Sequence, residues 1–345
     1  MQIPIENIYY LLCYAWNRLD EKDRVKVAVD ESNDLLDLFA RLLINGTRIL
    51  LKRGIEKSYV EETLEFAGVK GKLELSATIK SGLHHKQRTI CTIDDFSGNI
   101  LINRILLSTI LRLIKTEGVD GSLRKDLKSL VWMLPGIDPV NLSPSVFAKV
   151  RLHRNNRSYS FLMHVCRIIF DNTLPTEKPG VWEFIDFTRD QRQMNKLFES
   201  FLLNFYRREF PRWSVRSEQL TWQLEAPDPS DLDYLPRMVT DISITTPDGR
   251  IIIDAKYYTS TLSLHWGKEK IISGNLYQIF SYLVNQQSDD PASLFTRGIL
   301  IYPTTSVELN LKFLYRSHPV EVSTVNLNQH WKEIENRLKI IVAAS

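Results

Sequence analysis

Apolar and polar positions divide this chain into helical and extended stretches before any chemistry is considered. Residues 3–19, IPIENIYYLLCYAWNRL, are apolar all round and predict a buried helix. Behind a cap at Asp34, Leu35, Leu38, Leu42 and Ile49 recur at helical spacing. Extended material follows at 59–66, 70–75 and 89–96, with the polar stretch KSGLHHKQR (80–88) as a solvated or projecting basic loop. Amphipathic helices are predicted over 99–117, 122–134 and 159–170, with proline-bearing breaks at 138–145 and 172–180. From 188 to 209 the stripe Met194, Leu197, Phe198, Phe201, Leu202 and Phe205 marks another helix. A strand over 213–223, a hairpin over 238–258, a helix over 268–287, strands at 296–302 and 320–326 and a helix at 331–342 complete the chain.

The hairpin organises the rest. Thr246-Pro247-Asp248-Gly249 is a turn signal between two alternating runs. With the turn centred between Pro247 and Asp248, residues whose numbers sum to 495 lie opposite each other, so Asp241 faces Asp254 and Ile242 faces Ile253. Lys256 shares the face of Asp254, while Ile242, Ile244, Ile251, Ile253 and Ala255 form the face expected to pack inside. Two carboxylates directly across a strand pair stand about 5 Å apart at Cβ and repel. A chain that keeps them calls for something positive between them, and a hard cation such as Mg²⁺, or Mn²⁺ in its place, suits such oxygens. Lys256 would orient or deprotonate a water, or neutralise a phosphate, so the set points to metal-assisted phosphodiester hydrolysis.

Composition is that of a globular protein: 345 residues, 43% apolar, 25% charged and net charge +3. Residues 1–155 carry 23 Lys+Arg against 19 Asp+Glu, so a nucleic-acid surface has to be a local patch, for which the basic run RLHRNNR (151–157) is one candidate and a linker surface the alternative. Cys13, Cys91 and Cys166 are too scattered for a disulfide framework or zinc site, and no apolar run or basic-then-apolar leader suggests a membrane or secretion route. A cytoplasmic setting is expected. The chain has no G-x-x-x-x-G-K-[ST] loop, so nucleotide binding is not expected of it.

The spacing Asp241-x12-Asp254-Ala255-Lys256 resembles the PD-(D/E)xK nuclease superfamily, although the proline of that motif is displaced to Pro236. The element order from 188 onward, helix, three strands, helix, strand, is similar to the αβββαβ core of the same superfamily. Gln278 and Tyr282, four apart on the helix after the hairpin, resemble the QxxxY pair of its RecB-like and Cas4-like branch, where the pair supports the metal site. Glu199 stands where related nucleases carry a further acid that reaches the metal. An exposed charge beside an apolar stripe is the alternative reading of Glu199, and an ordinary half-exposed helix face that of the pair.

Taken together, NIYYLLCYAW (7–16), GVKGKLEL (68–75), LPGI (134–137), LPRMVTDISI (235–244), IIDAKYY (252–258), NLYQIFSYL (275–283) and GILIYP (298–303) resemble the McrC family, over essentially the whole chain. McrC chains are the nuclease subunits of McrBC, a GTP-dependent restriction enzyme that attacks modified DNA. The resemblance implies an α/β (α+β) protein with two domains. Residues 1–155 would dock onto a hexameric AAA+ partner of the McrB type and stimulate its GTPase; residues 156–345 would be the nuclease, with Asp241 and Asp254 as metal ligands and Lys256 beside them. GTP would be bound by the partner, and a second copy would be needed to break both DNA strands. Two other readings remain: a non-catalytic regulator of an AAA+ motor, and a stand-alone RecB-like exonuclease.

Overall fold

The structure is a computed structural model, and it describes residues 3–17, 34–153, 156, 158–258, 263–265, 268–286, 295–305 and 308–343. Its packing divides the chain elsewhere than after residue 155. One compact unit is Ser32–Ile185; the other combines Met1–Glu31 with Asp186–Ser345. The first helix therefore belongs with the C-terminal half, for a reason visible in its side chains. Helix α1 (Ile5–Ala15) stacks Tyr10 on Trp331 at 4.8 Å and sets Tyr14 edge-on to Phe201 at 5.7 Å. Asn7, buried, donates to the Leu327 and Gln329 carbonyls at 2.8 and 2.9 Å.

The inserted unit begins with α2 (Leu35–Arg53), capped by Asp34, whose side chain accepts from the Asp37 N–H at 2.8 Å. A long antiparallel pair follows, β1 (Ser58–Ala67) and β3 (Arg88–Ser97), with the short β2 (Lys72–Leu73) against β3. The run expected to be strand from 70 to 75 is thus mostly not strand. Helix α3 (Leu75–Lys80) follows, and within the stretch expected to be loop, 80–88, Leu83–Lys86 form a 3-10 turn. Tyr59 and Phe96 face each other across the ladder with ring centroids 5.2 Å apart, both exposed. Helices α4 (Leu101–Ile114), α5 (Gly121–Trp132), α6 (Pro144–Ala148) and α7 (Ser158–Asp171) and the hairpin of β4 (Thr173–Pro175) and β5 (Trp182–Phe184) complete this unit. Helix α7 packs on α2 and α4, which keeps it on this side of the division. The basic run 151–157 falls partly outside the described residues.

The other unit is a sheet covered on both faces. Helix α8 (Gln191–Glu209) starts at Asp190, which accepts from the Arg192 and Gln193 N–H groups, and buries Met194, Phe198, Phe201, Leu202 and Phe205. Short strands β6 (Ser214–Arg216), β7 (Gln219–Leu220) and β8 (Met238–Val239) lead to the hairpin, β9 (Ile242–Thr246) and β10 (Gly249–Ala255). Beyond it lie β11 (Ser263–His265), β12 (Lys268–Lys270), α9 (Ser273–Asn285), β13 (Arg297–Thr304), β14 (Asn310–Tyr315), β15 (His318–Asn326) and α10 (Trp331–Ala343). Strand order in the main sheet is β14-β15-β13-β10-β9-β6, with β10, β13 and β15 parallel. Helix α8 packs against β9 and β10, and α9 against β10 and β13. The expected helix over 268–287 begins only at Ser273, because 268–270 pair with 263–265 as strand, and residue 287 lies outside the described residues.

Gly298 shows how closely α9 approaches the sheet. A Cβ there would meet Ile279 at 2.8 Å and Leu283 at 2.9 Å. Among the described residues, no helix is long and apolar enough to cross a membrane.

Candidate active site

The hairpin register is the one the turn dictates. Ile242 pairs with Ile253 and Thr246 with Gly249, leaving Pro247 and Asp248 as the turn. The regular ladder stops one step short of the two acids. Asp241 bends out of the strand line, and its Oδ2 accepts the Ala255 backbone N–H at 2.9 Å. This contact stitches the first strand to the second just where Asp254 and Lys256 project.

The face that carries these residues is not open to solvent, as an isolated charged hairpin would be. Ile252, on the same side as Asp254, is buried beneath α9 with Leu300, Tyr302, Ile279 and Leu283, so both faces of the hairpin are core. Asp254 has a side-chain exposure of 0% and Lys256 14%, and Asp241 keeps 16%. Lys256 Nζ bonds Asp254 Oδ1 at 2.8 Å and stands 3.9 Å from Asp241 Oδ2. The positive group between the acids is therefore, in part, the lysine itself. Its backbone N–H donates to the Ile301 carbonyl at 3.0 Å, which continues the pairing of β10 with β13 and fixes the direction of the side chain.

Glu199 projects from α8 towards the same centre. Burial and then the Asp241 charge push its carboxyl up to about 7. Asp254 is also pushed up to about 7, chiefly by burial, with Lys256 opposing and Asp241 adding to the shift. Asp241 is raised by burial too. For Lys256 burial works against the charge, but Asp254 and Asp241 outweigh it and hold the ammonium above its ordinary value. If all ionise, three carboxylates and one ammonium leave two negative charges in a desolvated site. One divalent cation would cancel that charge.

The residues fit such a cation in one further respect. Asp254 Oδ2 is buried and has no hydrogen-bond partner among the described residues. A buried carboxylate oxygen without a partner is costly, and a metal bond is one way to satisfy it. No group of three or more His, Cys, Asp or Glu stands at metal-binding spacing among the described residues. The direct ligands would then be Asp241 and Asp254, within the one or two carboxylates that Mg²⁺ usually takes from a protein.

Tyr282 and Gln278 stand behind this group. The Tyr282 hydroxyl donates to the Val239 carbonyl at 2.8 Å, and Gln278 Nε2 donates to that hydroxyl at 2.6 Å. Burial, with smaller contributions from Asp254 and Asp241, pushes the Tyr282 phenol up to about 12. Tyr282 is thus brought within electrostatic reach of the acids, whereas Gln278 acts one step away, on the tyrosine. Three residues here were missed by the sequence reading. Asn275, buried on α9, donates to the Tyr302 hydroxyl at 2.9 Å and accepts from Tyr258 at 3.3 Å beside the acids. Asn195 links α8 to the strand end at Tyr257. Its place four residues before Glu199 was the available signal; Asn275 and Tyr302 left none, because their meeting depends on the strand order.

Residues 6–303 match the family model described as "McrBC 5-methylcytosine restriction system component". A curated relative, the type IV methyl-directed restriction enzyme EcoKMcrBC of Escherichia coli (strain K12), is 35% identical over 336 residues, covering 97% of this chain and 96% of the relative. Among solved structures, a half-complex from a tetradecameric assembly of Thermococcus gammatolerans McrB AAA+ hexamers with bound McrC matches with a TM-score of 0.57 at 19% identity. That match covers 98% of this chain and 75% of the other, and it is a likeness of fold.

Proposed function

Because the chain belongs to the McrBC 5-methylcytosine restriction system component family, we propose that it is the DNA-cutting subunit of such a system, a Mg²⁺-dependent phosphodiester hydrolase with a PD-(D/E)xK core. The observation that carries this reading is the buried cluster of Asp241, Asp254, Glu199 and Lys256 with one unpartnered carboxylate oxygen. Asp254, through Oδ2, and Asp241 would hold the cation, and Glu199 would support them. The bound cation would polarise the phosphodiester and lower the pKa of an attacking water.

The chain's own groups have distinct parts in that chemistry. Lys256, kept charged by its two acids, favours orienting the water or neutralising phosphate charge over acting as a base. Tyr282, fixed by Gln278 and Val239, walls the site on the α9 side. Asp241 bonds the Ala255 N–H and so keeps the two acids at a set spacing.

The partner follows from the family. A McrB-like AAA+ GTPase hexamer would bind the modified DNA and GTP, and the inserted unit of this chain would dock on it and stimulate its GTPase. The β1–β3 ribbon, with Tyr59, Leu64 and Phe96 exposed, suits such a contact. A second copy would serve the second strand. A non-catalytic regulator is the second reading, favoured by one observation: the Lys256 ammonium is bonded to Asp254 and compensates its charge.

Cleavage of methylated against unmethylated plasmid, with the AAA+ partner, GTP and Mg²⁺, tests the proposal. Asp241→Asn, Asp254→Ala and Lys256→Ala should each abolish cutting and leave the partner's GTPase stimulated. Normal cutting by any of the three would overturn the assignment. Mn²⁺ binding by the parent chain that is lost in Asp254→Ala excludes the regulator-only reading.

A further inference from the structure

Between α8 and the end of β10 stands one side chain with two partners of opposite kind. Asn195 Oδ1 accepts the Tyr257 backbone N–H at 2.8 Å. Its Nδ2 donates to Oε1 of Glu199, one helical turn further on. These partners admit one orientation of the amide. Turned over, it would set its NH₂ against an N–H and its oxygen against a carboxylate.

Both ends of the bridge are anchored. Met194 and Phe198, on either side of Asn195 along α8, are wholly buried. Tyr257 follows Lys256, whose N–H is itself bonded to Ile301 in β13. The segment bearing Asp254 and Lys256 is held against the helix bearing Glu199 by this amide and by the Tyr257 ring against Phe198, 6.4 Å between centroids. Among the described residues Asn195 is also the sole hydrogen-bond partner of Glu199. Glu199 has alternatives if released, since Lys196, exposed three residues back, attracts its carboxylate.

We propose that Asn195 is a positioning residue, which holds the Glu199 carboxylate beside the Asp241–Asp254 pair so that its charge adds to theirs in drawing one divalent cation, with Asp241 and Asp254 as the direct ligands. The inference rests on the metal-dependent nuclease reading. Asn195 itself touches neither cation nor DNA; it acts through Glu199. Residues that orient metal-site carboxylates in this way are worth about 10-fold to 100-fold in metal affinity or activity.

The test is Mn²⁺ titration of the full chain by calorimetry, alongside melting temperature and metal-dependent cleavage with the AAA+ partner. Asn195→Ala should weaken Mn²⁺ binding by about 10-fold to 100-fold. It should raise the Mn²⁺ needed for half-maximal cleavage in step, with the rate recovered at saturating metal. Asn195→Asp keeps the acceptor for the Tyr257 N–H but sets a carboxylate against Glu199, so it should bind Mn²⁺ no better than Asn195→Ala. Parent-like binding by Asn195→Asp would mean that the amide merely ties helix to strand, and the proposal falls. In a Glu199→Gln background, Asn195→Ala should weaken Mn²⁺ binding no further, and an additional loss there also overturns it. Asp254→Ala separates the two levels. If it binds Mn²⁺ like the parent, the nuclease reading itself fails; if it loses binding while both Asn195 variants keep it, only the role of Asn195 is wrong.

Discussion

Asp254 bears the heaviest electrostatic load in the site, and its chemistry follows from where a strand carries it. Wholly buried, and bonded to Lys256 through one oxygen only, it keeps a proton up to about pH 7. An unfolded aspartate releases that proton near pH 4. Between those values the folded chain holds a proton that the unfolded chain has lost, so stability falls as pH rises. In the metal-free chain the melting temperature should therefore drop from about pH 4 to about pH 7, and Asp254→Asn should flatten that slope. A parent curve as flat as the variant's would contradict the burial of this carboxyl. The same protons compete with a cation. Mn²⁺ affinity should accordingly rise with pH through neutrality, with proton release seen as a dependence of binding heat on buffer ionisation enthalpy. Glu199, pushed up to about 7 beside Asp241, adds to that release.

At the scale of elements, the hairpin was legible and its surroundings less so. Pro247 and Asp248 set the turn, and an alternating run has only one register that keeps Ile242 opposite Ile253. That register placed Asp241 level with Asp254, but the ladder itself ends at Ile242 and Ile253, and Asp241 instead accepts the Ala255 N–H. What alternation could not convey is that Ile252, on the acid face, is core as well. The difference lies in α9, which covers that face and is placed there by the parallel pairing of β10 with β13. Non-local pairing leaves little trace in a short window. Residues 268–270 likewise read as the start of a helix until their pairing with 263–265 is known. The closeness of α9 makes a direct prediction. Gly298→Ala sets a methyl against Ile279 and Leu283 and should cost about 1–3 kcal/mol, measured by urea unfolding. Phe198→Ala removes a fully buried ring of α8 and should cost about 3–5 kcal/mol.

For the molecule as a whole, the unexpected feature is that α1 packs with the C-terminal half of the chain. Its apolar residues, set all round, announced a buried helix but gave no hint of the partner, because Phe201 and Trp331 lie far along the chain. A fragment of residues 186–345 lacks the helix that covers Phe201, Phe205 and Trp331, and it should be poorly soluble and unfold at low urea. Joining residues 1–17 to that fragment by a flexible linker should restore a cooperative transition. Equal stability of the two fragments would show that α1 adds nothing.

That insertion also sets a timetable. At ordinary rates of protein synthesis α1 leaves the ribosome about 10–35 s before α8, the helix it must meet. The intervening unit, Ser32–Ile185, has its own core and can fold during this interval. Lys256 and its acids emerge later still, so the newborn chain completes the inserted unit before the buried cluster of Asp241, Asp254 and Lys256 can assemble.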